Sequence, residues 1–156
     1  MRSRISAGAA AALRGGHPWV YREQLRGPLE RHQSGDVVTL FDGQGQGIAW
    51  GIVDPSSPIA VRVWSQKPLP RGAAEARRVA TAVVRERLAK AVSVRDGMVG
   101  SDTNAFRLVH GEGDRTPGIV VDRYGNVAVV RLDGEAIATW SEVILDALGE
   151  LLRPRG

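Results

Sequence analysis

Cysteine is absent from the 156 residues of this chain, which excludes disulfides and thiolate metal sites. The three histidines, His17, His32 and His110, are scattered and give no metal-ligand spacing. No apolar run approaches the roughly 20 residues that cross a bilayer. An alanine-rich stretch follows Met1-Arg2-Ser3-Arg4, as at the start of a signal peptide, but Arg14 interrupts it and no apolar core follows. The expectation is therefore a cytoplasmic chain with no membrane partner. Lysine is scarce, with Lys67 and Lys90 alone. There are no internal repeats, and no glycine fingerprint of the Rossmann kind follows a strand.

What is present suffices for a folded chain. Hydrophobic residues make up 43%, enough for a core in one ordinary domain or two small ones. The net charge of +4 is unevenly spread: Met1 to Asp96 holds 15 Lys and Arg against 8 Asp and Glu, and Gly97 to Gly156 holds 6 against 9. A basic half attracts polyanions, and the planar fork of arginine suits phosphates and base edges.

Taken in order, Ile5 to Leu13 is Ala-rich and predicts a short helical turn. Arg14-Gly15-Gly16-His17-Pro18 breaks it, and Trp19-Val20-Tyr21 is extended. Strands are predicted at Gly35 to Phe41, Gln46 to Asp54 and Ile59 to Trp64, with Asp42-Gly43-Gln44-Gly45 as a hairpin turn. Short strands at this spacing suggest a small barrel. Lys67 to Gly72 reads as a linker. Ala73 to Arg95 has an apolar stripe at helical spacing (Ala76, Ala80, Val83, Val84, Leu88, Ala91, Val92), ended by Asp96-Gly97. A last helix is predicted over Glu135 to Leu152, opened by Asp133-Gly134 and stopped by Pro154.

Between these helices lies the most informative stretch, Phe106 to Asn126. Phe106 to Val109 is a strand. Gly111 to Gly118 is a run of turn formers carrying Glu112, Asp114 and Arg115. Ile119 to Val121 is a buried strand, Asp122 to Asn126 a tight turn with Tyr124 packing, and Val127 to Leu132 a third strand.

Read as RLxxGExDxxPGIxxDRYGN, residues 107–126 resemble the central-domain signature of bacterial S-adenosylmethionine-dependent ribosomal-RNA methyltransferases of the large-subunit cytosine-5 type. His17-Pro18-Trp19-Val20-Tyr21 and Asp54 to Trp64 agree with that family in order, and in it they belong to an N-terminal PUA domain, a small RNA-binding barrel. The resemblance implies an α+β chain. A PUA-like β-barrel over 1–68 comes first, then an incomplete central α/β domain over 73–156, built as helix, three-stranded sheet and helix. It implies ribosomal RNA as partner. It also implies that the methyl donor and the catalytic cysteine belong to a third, Rossmann-like domain that the sequence does not contain. No catalytic, cofactor-binding or metal residue is therefore expected here, and the chain alone is expected to be inactive. The missing partner domain is expected to leave an edge strand and self-association through the second half.

Candidate RNA-binding residues are Arg14, Gly16, His17, Trp19, Arg22, Ser57 and Arg62. Each has a plainer reading. Trp19 is core and His17 caps a turn; Arg14 and Arg22 are solvated; Ser57 closes a turn; Arg62 pairs with Asp42 or Asp54. Glu112, Asp114 and Arg115 are a candidate cleft loop. In their structural reading Asp114 bonds backbone and Glu112 pairs with Arg107 or Arg123. Two rival functions stay open: a stand-alone PUA-type RNA-binding protein, and a protein-interaction barrel.

Overall fold

Alternation along one strand divides the molecule into two cores. In the computed structural model, which describes residues 1–96, 98–100 and 102–153, strand β5 (Gly47–Val53) is buried along its last five residues. Successive side chains of a strand point to opposite faces. Ala49 and Val53 face inward with Val38, Leu40, Val61 and Val63, while Trp50 and Ile52 face outward onto the second half of the chain.

The first half is a six-stranded, barrel-like sheet in the order β2-β6-β5-β4-β1-β3. Its members are β1 (Arg2–Ile5), β2 (Trp19–Val20), β3 (Leu25–Arg26), β4 (Val37–Phe41), β5 and β6 (Val61–Ser65). Pairing is antiparallel except between β1 and β4. Irregularities at Leu40/Phe41 and at Trp50/Gly51 bend the strands, as bulges do. A side chain at Gly51 would meet the Arg62 carbonyl at 2.4 Å, so only glycine lets β6 come this close. Helix α1 (Ala7–Arg14), capped by Ser6, presents Ala9, Ala10 and Leu13 to the inner core.

Helix α2 (Ala73–Asp96) then crosses the outer face. Its buried positions are Ala76, Ala80, Val84, Leu88, Ala91 and Val92, the stripe predicted from spacing. Strands β7 (Ala105–His110), β8 (Ile119–Tyr124) and β9 (Val127–Leu132) form a second sheet with β8 central. Two short helices, α3 (Glu135–Ala138) and α4 (Ser141–Leu151), close the chain. Trp50 and Trp64 stack with ring centroids 6.4 Å apart and join one continuous core with α2, β7, β8, α3 and α4. The chain therefore changes character near residues 68–73, but its packing is continuous there. No helix among the described residues is long and apolar enough to cross a membrane.

The mixed α and β architecture, with a PUA-like barrel first, is the one expected. Several local expectations are corrected. The N-terminus holds a strand, β1, before the helix, because Arg2 to Arg4 pair in parallel with Thr39 to Phe41. β8 runs on through Asp122 and Arg123 to Tyr124, so the predicted tight turn shrinks to Gly125 and Asn126. Tyr124 does not pack but is 56% exposed. The single last helix is two, since Trp140 turns inward at their junction: its indole N–H donates to the Gly35 carbonyl at 2.9 Å, and the Arg77 guanidinium lies 3.5 Å from its ring centroid. Asp133 does not open α3; the Ala136 N–H donates to Asp54 Oδ2 of the barrel (3.4 Å). The predicted helix stops at Gly97 and Pro154 lie outside the described residues.

Replacing Trp140 by Phe keeps most of the apolar contact but strands the buried Gly35 carbonyl. An unmade buried hydrogen bond costs about 1–3 kcal/mol. Trp140→Phe should lower the unfolding free energy by that amount, read as a lower denaturant midpoint with an unchanged slope.

Candidate nucleic-acid interface

The interface is built where the start of the barrel meets the loop between β7 and β8. Helix α1 ends with Gly15, Gly16 and His17 donating their N–H groups back to Ala11, Leu13 and Ala12. Gly16 takes φ = 93°, a region that glycine enters without penalty. This closure sends His17-Pro18-Trp19 out in extended form, and alternation puts His17, Trp19 and Tyr21 on one face. Their rings lie 5.9 to 6.4 Å apart. β2 pairs with β6 so that Trp19 stands opposite Arg62.

Both of those side chains reach the same oxygen. The Trp19 indole N–H and the Arg62 guanidinium each donate to Glu112 Oε1 at 2.9 Å. Glu112 comes from the 3-10 turn Gly111–Asp114, which is held from several sides. Asp114 accepts from Arg95 (2.7 Å) and from the His110 N–H (2.6 Å). Buried Thr116 donates twice to the Gly111 carbonyl. Arg115 takes a left-handed conformation at φ = 58°, uncommon for a residue with a side chain. Gly118 at φ = 80° has no room for one, as Ile137 would lie 2.9 Å away. The loop is thus a rigid bracket that presents Glu112 to the barrel and Arg115 to solvent.

Between bracket and barrel lies a cleft of about 310 Å³, bounded by Gly16, His17 and Pro18, by the end of β6, by Arg87 of α2, and by Glu112, Arg115 and Pro117. Arg87 donates to the Arg115 carbonyl (2.5 Å) and lies 5.7 Å from the Trp64 ring centroid. Burial, and then the nearby Arg115 guanidinium, push its pKa below the usual arginine range, with Glu86 opposing. Among the described residues it makes no ion pair. Glu112 is the one carboxylate among the described residues that lines the cleft, against Arg87 and Arg115, and it is already paired with Arg62 beside the cleft. Trp64 lines the cleft too, and its buried indole N–H has no partner among the described residues. Such a surplus of donors suits an anionic, acceptor-rich ligand.

The candidate residues divide. Gly16, His17, Trp19, Arg62, Glu112 and Arg115 converge at or beside the cleft. Arg14 instead pairs with Asp42 (2.5 Å). The Gln46 N–H, helped by Arg14 and the Gln44 N–H, holds the Asp42 carboxyl below the usual range against burial, which would raise it. Arg22 donates to the Pro55 carbonyl. Ser57 Oγ accepts from the Ile59 N–H at 3.1 Å and so closes a turn. The expected partners are corrected: Arg62 pairs with Glu112 rather than Asp42 or Asp54, and Glu112 with Arg62 rather than Arg107 or Arg123, because Arg107 is taken by Asp122 across β7–β8. Arg87 and Trp64 were missed. The one available signal for Arg87 is an arginine on the flank of the apolar α2 stripe, four residues after Val83.

Residues 4–66 match the PUA-like domain family. Over 137 residues the chain is 34% identical to a ribosomal RNA large subunit methyltransferase of Deinococcus radiodurans, covering 85% of this chain and 32% of that protein. Over 129 residues it is 31% identical to ribosomal RNA large subunit methyltransferase I of Escherichia coli, covering 82% and 31%. The chain thus spans about a third of the length of the curated relatives it matches. A solved Streptococcus mutans protein assigned as a SAM-dependent methyltransferase superposes with a TM-score of 0.76 at 14% identity, over 97% of this chain and 38% of that one.

Removing Glu112 leaves Arg62, whose side chain is 16% exposed, and Trp19 without an acceptor. Uncompensated groups of this kind cost about 1–3 kcal/mol each, non-additively. Glu112→Ala should destabilise the chain within that range and change Trp19 fluorescence. In a double-mutant cycle, most of the loss should vanish in an Arg62→Met background.

Proposed function

We propose, from the match of residues 4–66 to the PUA-like domain family, that this chain is the RNA-holding part of a ribosomal RNA large-subunit methyltransferase. The observation that carries the reading is the cleft at the seam, where Arg87 and Arg115 line the wall and the one lining carboxylate, Glu112, is already taken by Arg62. Phosphate contacts position an RNA, and exposed rings or guanidinium planes stack its unpaired bases. Arg87 and Arg115 supply the first kind of contact. His17 and Trp19, on the face leading into the cleft, supply the second. Ribosomal RNA as partner makes a cytoplasmic protein the natural setting.

The residues of the cleft do not fit S-adenosylmethionine. That donor carries a sulfonium cation, and the cleft would meet it with Arg87 and Arg115. Its ribose hydroxyls need a free carboxylate, and Glu112 is already engaged by Arg62 and Trp19. No step of methyl transfer is assigned to these residues; their work is to bind and orient RNA.

The test is fluorescence anisotropy with a labelled large-subunit ribosomal RNA fragment. Binding should weaken steeply as salt rises. Each lost charge-assisted bond is worth about 1.5–3 kcal/mol, so Arg87→Gln with Arg115→Gln should weaken binding at least tenfold. Arg78→Gln with Arg85→Gln, which breaks the exposed pairs with Glu75 and Glu150, should change it less than about twofold. Equal effects of the two pairs, or no binding, would refute the reading.

A second proposal concerns association. β9 has β8 as its sole strand neighbour among the described residues, and Val127 and Val129 are 61% and 52% exposed. An apolar edge of this kind recruits another chain, and we propose a second copy pairing edge to edge. Light scattering over a concentration series should show dimers that Val129→Lys abolishes; a monomer at every concentration would sink the idea.

A further inference from the structure

Four arginines lie together at the other end of the strand order. Arg2 and Arg4 alternate on one face of β1, and β1 pairs with β3 so that Arg4 stands directly opposite Arg26. Residues facing each other in an antiparallel pair have Cβ atoms only about 5 Å apart, and like charges there repel. Arg31 enters from the 3-10 turn Leu29–Arg31. With Arg2, Arg4 and Arg26 it lines an open groove of about 400 Å³ in which no carboxylate takes part. All four are exposed, and among the described residues none of the four makes an ion pair. Asp42 is held by Arg14, Asp36 accepts from the Gln33 N–H at 2.8 Å, and Glu30, beside Arg31 in the same turn, does not line the groove. The Arg2 guanidinium lies 4.2 Å from the Phe41 ring centroid. It is braced against the sheet and covers that ring, and the other ring of the groove, His32, is tied to Ser3 Oγ at 2.9 Å.

An antiparallel pair of arginines with no counter-charge is a cost in the free protein, and an anion bridging them relieves it. We propose that this groove is a second RNA-binding site, separate from the cleft, that takes the phosphodiester backbone of another segment of the same RNA without reading its bases. The proposal rests on the RNA reading of the cleft. It differs from that reading in chemistry: arginine forks chelate phosphate oxygens, and with Phe41 covered by Arg2 and His32 tied to Ser3 the groove presents no ring face like that of His17 and Trp19.

The experiment uses the full chain, a labelled large-subunit ribosomal RNA hairpin and the same hairpin with scrambled sequence. Each phosphate contact adds about 0.9 to the slope of log affinity against log salt. Arg4→Gln with Arg26→Gln should lower that slope by about 1–2 and weaken both RNAs equally, by about threefold to tenfold at moderate salt. Combined with Arg87→Gln, the losses should multiply. The melting temperature should hold or rise at low salt, as repulsion is removed. If the double variant unfolds, Arg31→Gln, which lies outside the strands, replaces it with half the slope change expected. Unchanged slope and affinity, while the Arg87 and Arg115 variants still weaken binding, would overturn the groove and leave the cleft standing. If the unaltered chain binds neither RNA, both fall. Loss of binding to phosphatidylglycerol vesicles with RNA binding intact would also overturn the proposal, in favour of a lipid surface.

Discussion

Strand β5 must be apolar on both faces, and the rest of the molecule follows from that requirement. A barrel strand usually has one dry face and one wet one. Here Ala49 and Val53 fill the barrel while Trp50 and Ile52, with Trp64 of β6, are buried against the second half. Fully burying a large apolar side chain is worth about 1.5–3 kcal/mol, so these three residues alone make separation of the halves costly. The barrel cannot expose that face, and α2, α3 and α4 bury it together with Leu108, Val109, Ile119 and Val121 of the second sheet. A chain divisible by composition is thus a single unit by packing.

The same constraint explains why an interface forms at the seam. Packing the two halves against a common wall brings the loop 111–118 over the β2–β6 end of the sheet. Glu112 then meets Trp19 and Arg62, residues 93 and 50 positions away. One carboxylate satisfies two donors and fixes the angle between bracket and barrel. It is spent in doing so, and among the described residues Arg87 and Arg115 make no ion pair, Glu86 offsetting Arg87 only in part. The electrostatic surplus of the cleft is a consequence of how the halves are held together.

How much of this was legible beforehand depends on range. The strands at 37–41 and 47–53 were readable because their signals are local: alternation, and an Asp-Gly turn between them. So was the α2 stripe. β1 was not, since Arg-Ser-Arg-Ile has no strand pattern of its own and exists as a strand through parallel pairing with β4. The break at Trp140 was equally hidden, because its cause is a carbonyl 105 residues away. For the site, the residue types were legible and their convergence was not. Glu112 had two nearer arginines as candidates, and it took the β7–β8 register to show that Arg107 belongs to Asp122. Arg87 was not singled out, because in a helical sequence a partly buried charge and an exposed one look alike.

A basic half with many arginines was visible from the start, yet charge alone does not distinguish a solvated surface from a site. The arrangement of partners does. Arg14, Arg78, Arg85, Arg95 and Arg107 each have a carboxylate within 3 Å and are neutralised where they stand. Arg87 has a carbonyl oxygen and a second guanidinium instead, and Arg4 has Arg26 across the strand pair. A fold stable by only several kcal/mol sets like charges together at Arg87 with Arg115 and at Arg4 with Arg26 while pairing others. Such repulsion beside an aromatic face at one end of the sheet, and along an open groove at the other, is the pattern expected of a surface completed by a polyanion.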